Sequence, residues 1–195
     1  MQYRISAREG SVALRPLERE DAPLLLRWLT DARNLAYWEG QSAVFTPERI
    51  QEDFYADEWN ASRCIIQWEG RDIGYAHAYQ LDREMFQEYQ YSRIGLRTFG
   101  IDQFIGVPEL WGRGIGRRFI RLLCGWLRNQ GGAQAVVLDP HADNERAIRC
   151  YEACGFRKAK FLPRHELHDG LMVDCWLMVL GLQTLGVPPP SPHHF

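Results

Sequence analysis

The sequence predicts an α+β fold, a central mixed but mostly antiparallel sheet flanked by helices. Three observations carry this. "RCIIQWEGRDIGYAHAY", beginning at Arg63, is two apolar runs around a turn at Glu69–Asp72, the pattern of an antiparallel hairpin. "RTFGIDQFIG" (97–106), an amphipathic segment and "AQAVVLD" (133–139) form a strand–helix–strand unit, whose two strands pair parallel. Two more strand-like runs, around 156–163 and 171–180, follow it.

Taken in order, "SVALRPLERED" is a first strand ending near Pro16. Asp21 caps a helix through Thr30, with Pro23 tolerated in its first turn. Thr46–Pro47 starts a second helix running to about Trp59. Residues 81–96 are polar and aromatic and read as a loop. After the strand at 97–106, Phe119, Leu122, Leu123, Trp126 and Leu127 give one apolar helix face, and Gly131–Gly132 stop that helix. The short apolar run at 133–139 has the pattern of a buried strand. Asp143 or Asn144 caps a helix reaching about Cys154, closed by Gly155. "PRHELHDG" reads as the loop between the last two strands. Residues 1–180 are expected to be one domain, and 181–195, ending in "GVPPPSPHHF", a disordered tail.

Composition excludes several classes. The chain has 195 residues, 46% hydrophobic and 25% charged, which suits one sizeable core. A net charge of −2 argues against a general nucleic-acid binder. No run is long and apolar enough to span a bilayer, and "MQYRISAREG" lacks an apolar signal core. The five cysteines, odd in number and without CxxC spacing, suit reduced thiols in a cytoplasm. No zinc-finger or HExxH spacing links His165, His168, Cys150 and Cys154, so no metal is expected. Charge is uneven: residues 39–59 are acidic apart from Arg49, and 112–128 carry five arginines and no acid. The two stretches are either solvated helix faces or sites for a cation and an anion.

"ELWGRGIGRRF" (109–119) places three glycines where a helix should begin. Glycine weakens a helix, so something there needs bare backbone. A strand, a glycine turn and a helix start make an anion site: main-chain N–H groups reach phosphate oxygens and the helix dipole adds to them. Arg113, Arg117 and Arg118 supply charge-assisted bonds. The spacing is neither a Walker loop nor the dinucleotide G-x-G-x-x-G. Taken by itself, it is equally a tight structural turn.

Downstream, "LDPHADNERAIRCYEACGF" (138–156) sets Asn144, Ala147 and Tyr151 along one helix closed by Gly155–Phe156. Together the two segments resemble the GNAT superfamily of acyl-CoA N-acyltransferases, whose phosphate motif is Q/R-x-x-G-x-G/A. Trp111-Gly112-Arg113-Gly114-Ile115-Gly116 matches it except at its first position. Within the superfamily, "GIDQFIG", "LDP", "NERAIRCYEACGF" and "EGRDIGYAHAY" look most like aminoglycoside 6′-N-acetyltransferases.

The resemblance implies acetyl-CoA as cosubstrate and a polycationic aminoglycoside as acceptor, with resistance as the outcome and a monomer or homodimer as the assembly. It implies that Phe104, Ile105, Arg113, Gly114, Ile115, Gly116, Arg117, Arg118, Asn144 and Ala147 hold the cosubstrate. Asp102 would hold the acceptor ammonium and pass its proton on, directly or through water; otherwise it is a polar residue at a strand bulge. Tyr151 would protonate the departing thiolate; otherwise it is a core tyrosine. Asp139 would bind a second ammonium, or simply turn the chain before Pro140. Asn144 would lie near the pantetheine arm, or simply cap its helix. Asp82, Glu84 and Glu88 would add negative charge near a cation, or form a solvated face. The oxyanion donor would be a main-chain N–H of residues 102–106. Two other readings stay open: acylation of a lysine-like amine in siderophore assembly, and non-catalytic binding of acyl-CoA or a cationic drug.

Overall fold

The computed structural model describes residues 2–56, 60–91 and 97–182. Strands β1 (Ala7–Glu9), β2 (Val12–Pro16), β3 (Ser62–Trp68), β4 (Arg71–Gln80), β5 (Thr98–Ile105), β6 (Ala135–Leu138), β7 (Arg157–His168) and β8 (Leu171–Gly181) form one sheet, ordered β1-β2-β3-β4-β5-β6-β8-β7. Every pairing is antiparallel except β5–β6, joined by the helix α5 (Ile115–Gly131). The expected mixed sheet is therefore what forms.

Helices cover both faces. α1 (Ala22–Leu29), α2 (Ala32–Trp38) and α3 (Pro47–Tyr55) pack with Ile65 and Tyr75. Residues adjacent to these in the strands, Ile66 and Ala76, belong to the opposite core under α5, with Phe119, Leu123 and Leu127. Alternate strand residues point to opposite faces, so consecutive buried residues require cover on both sides. α4 (Arg83–Tyr89) closes a third cluster through Tyr89, Tyr79 and Leu162, and α6 (Glu145–Glu152) adds Ile148 to the α5 core.

Several expectations are corrected. β1 and α2 have no element in the sequence reading. The stretch 81–96 is not a plain loop: Asp82 accepts from Glu84 N and Met85 N at 2.9 Å and starts α4. Residues 92–96 lie outside the described residues, as does Trp59, where the second helix was expected to end; α3 itself stops at Tyr55. Asp21 stands at the N-cap of α1 without capping it, because both its oxygens accept from Arg15 at 2.7 Å. "PRHELH" is strand, not loop: β7 runs through it with a register shift between Leu162 and Glu166. The tail expected to be disordered lies, from 183 onward, outside the described residues. Among the described residues, no helix is long and apolar enough to cross a membrane.

β5 pairs with β6 only through Thr98, Phe99 and Gly100, while it pairs with β4 as far as Ile105. Beyond Gly100 the two parallel strands part. That fork is where the site lies.

Candidate active site

A cleft of about 840 Å³ fills the fork, walled by β4, β5, the turn before α5, the end of β6 and α6. Its floor at the α5 end answers the question of the glycines. Gly112 and Gly114 have φ of +73° and +77°, left-handed conformations that strain any residue with a Cβ. Gly116 has no such conformation; a Cβ there would stand 3.1 Å from Cys150 Sγ, so glycine lets α5 and α6 approach. Among the described residues no side chain caps α5, which leaves its first-turn N–H groups for another acceptor.

Gly114, Ile115, Gly116 and Arg117 line the cleft. Phe104 and Ile105 line it from β5, and Asn144 and Ala147 from α6. Asn144 Oδ1 also accepts from Ala147 N at 3.1 Å, so it does cap its helix. Arg113 is exposed and Arg118 stacks on Trp68 at 5.3 Å; neither forms part of the wall. Trp111, the odd residue of the motif, donates from Nε1 to Ile105 O at 2.8 Å. Arg146 lies 4.1 Å from its ring and 4.4 Å from that of Tyr37, a cation held between two aromatic faces at the cleft.

At the fork itself, Asp102 accepts from His77 Nε2 at 2.9 Å, and His77 Nδ1 meets Tyr75 Oη at 3.1 Å. Burial pushes the Tyr75 phenol well above its ordinary value, so it remains an O–H donor. The carboxylate of Asp102 only accepts, so Nε2–H is the donor to it. Tyr151 also lines the cleft; Gln103 Nε2 donates to its oxygen at 2.8 Å, and that bond leaves the phenol proton unused. Burial raises the Tyr151 pKa, keeping it protonated.

Asp139, at the end of β6, accepts on one oxygen from Tyr89 and from His165, each at 3.1 Å. Glu88 reaches the wall, whereas Asp82 is occupied with capping α4 and Glu84, in that helix's exposed first turn, is likewise not in the wall. The cleft also contains residues the sequence did not single out: Asn34, His77, His141 and Glu166. His141 Nε2 meets Glu166 Oε2 at 3.0 Å, and the buried Cys175 thiol donates to the same oxygen at 3.8 Å. These three offer donor atoms within 4.8 Å of one another, although they share no ligand spacing in sequence.

Among the described residues, two buried acceptors on the wall have no partner, Asn34 Oδ1 and Gln103 Oε1. The Asn34 amide is fixed by its donation to Trp28 O and Gly106 O at 2.8 and 3.1 Å. Buried unpaired acceptors cost free energy, and they suit a ligand that brings N–H groups. A pantetheine arm, with its two amides, and a diphosphate at the α5 terminus fit this donor and acceptor pattern.

Comparison with known proteins agrees with the geometry. The chain is 31% identical over 153 residues to aminoglycoside N(6′)-acetyltransferase type 1 of Klebsiella pneumoniae, covering 76% of this chain and 75% of that protein. A solved structure of AAC(6′)-Ib with ribostamycin and coenzyme A superposes with a TM-score of 0.71 at 25% identity, covering 88% of this chain and 94% of that one. Spermidine N-acetyltransferase of Vibrio cholerae shares the fold, with a TM-score of 0.69 at 20% identity over 89% of this chain and 96% of that one. Residues 18–163 match the acetyltransferase (GNAT) domain family, and the protein belongs to it.

Proposed function

We propose that this protein uses acetyl-CoA to acetylate an amine, the 6′-amine, of an aminoglycoside antibiotic, and so confers resistance to it. The observation that carries the reading is one continuous cleft joining an uncapped, glycine-opened helix terminus to Asp102 and a wall of carboxylates. The first end suits a diphosphate and the second a polycation. Relatives named as aminoglycoside N(6′)-acetyltransferases, and solved relatives holding coenzyme A with kanamycin or ribostamycin, support it.

The thioester supplies an activated acyl group; the chain's residues do the rest. The α5 terminus and Arg117 hold the diphosphate, and Asn34 and Gln103 accept from the pantetheine amides. Asp102 holds the acceptor ammonium and receives its proton, leaving a neutral amine to attack. The same carboxylate orients the amine towards the thioester. Tyr151 delivers its proton to the departing sulfur. A buried phenol is a weaker acid than a free one, but the thiolate it meets is desolvated in the same cleft and correspondingly more basic. Main-chain N–H groups of β5, freed where β6 diverges, are the proposed donors to the developing oxyanion.

The test is thiol release from acetyl-CoA in the presence of kanamycin or tobramycin. Release that depends on the drug is expected, with the product acetylated at the 6′ position by mass and NMR. Thiol release no faster than the drug-free background across a broad aminoglycoside panel would overturn the acceptor.

A further inference from the structure

Three carboxylates of the cleft each meet a histidine Nε2: Asp102 with His77 at 2.9 Å, Asp139 with His165 at 3.1 Å, and Glu166 with His141 at 3.0 Å. In every pair the acid is the more exposed partner, by 35% against 19%, 22% against 15%, and 45% against 13% of the side chain. All six residues line the cleft, and in each pair the acid is the more open to a ligand. Acyl transfer to one amine needs one such acid. The other two pairs exceed that need.

We propose that Glu166, backed by His141, is a further ammonium subsite beside Asp139. The inference rests on the acceptor reading above and extends it from one amine to a pattern of ammonium groups. The histidines and their neighbours bond one oxygen of each acid, Glu166 Oε2 and Asp139 Oδ2, and the second oxygen of each is the one offered to an arriving ammonium.

The surroundings favour this. His165 on β7 faces Asp139 at the end of β6, Tyr89 and Glu88 on α4, and Glu166 on its own strand. His141 faces Glu166 on β7, Asp139 and Asp143 on its own segment, Cys175 on β8, and the edge of His168 at 4.5 Å. Burial keeps the Cys175 thiol protonated, and it donates to the same Glu166 oxygen that meets His141.

The experiment is calorimetric titration of kanamycin into the coenzyme A complex of the wild type and of Glu166 variants. Glu166→Gln should weaken kanamycin about tenfold with coenzyme A binding intact, and Glu166→Asp should recover part of that loss. A Glu166→Gln affinity for kanamycin within twofold of the wild type would overturn the proposal. A wild type that binds coenzyme A but no aminoglycoside would instead overturn the acceptor reading, and the subsite with it.

Discussion

Tyr75, His77 and Asp102 form a hydrogen-bonded chain whose proton positions follow from burial at one end and charge at the other. His77 is a positioning residue for Asp102, holding one carboxylate oxygen in place. Its replacement by alanine is expected to lower kcat about tenfold and to alter the pH profile, with His77→Gln, which retains a donor, recovering most of it; steady-state kinetics across pH would check both. Tyr151→Phe should reduce kcat by about a hundredfold and leave the KM for acetyl-CoA within twofold, since only the transferable proton is lost. Asp102 and Tyr151 were both legible in the sequence, each through a short motif. His77 was not. It lies 25 residues from Asp102 and meets it only because β4 and β5 pair in the register that sets His77 opposite Asp102. Asp82 shows the reverse error: an acid near acidic neighbours, whose oxygen is used by the backbone of α4.

The glycine turn and α5 show how an element serves the site. Gly112 and Gly114 are demanded by backbone conformation and Gly116 by a neighbouring helix, so one motif has two physical causes. Gly114→Ala is expected to destabilise the fold by about 1 kcal/mol and to weaken coenzyme A binding; urea unfolding and calorimetry would measure the two losses. β7 illustrates a failure of sequence rules. Pro163 reads as a break, yet it falls in the irregular stretch between Leu162 and Glu166, where a missing N–H is tolerated, and Arg164 takes φ of +49° there. That irregularity lies in the strand segment carrying His165 and Glu166, and both line the cleft. A loop in the same place would carry no such pairs in fixed register.

At the scale of the molecule, charge clusters set the limits of stability. Burial opposes ionisation of Asp72, but hydrogen bonds from Arg15 and Gln67 and the charge of Arg15 outweigh it and hold the carboxyl below its usual value. That contribution is present above the unfolded carboxyl pKa of about 3.9 and is lost as pH falls through the lower folded value. The raised histidines act oppositely: their contribution is complete below about pH 6.5 and fades as pH rises through the folded values. Melting temperature should therefore fall in acid below about pH 4 and decline gently above about pH 6.5, and His141→Gln, His165→Gln should remove the alkaline decline. Arg15 bridges Asp21 and Asp72 from β2, and Arg15→Ala is expected to cost about 2 kcal/mol in urea unfolding, because both acids then lose their partner. The sequence by itself determined the antiparallel hairpin, the parallel strand–helix–strand unit and the glycine-opened helix start, since each is written in local periodicity and backbone demand. Only the tertiary structure decided where β5 leaves β6 and which histidine meets which acid, because both depend on strand register, and register brings together residues that no local pattern connects.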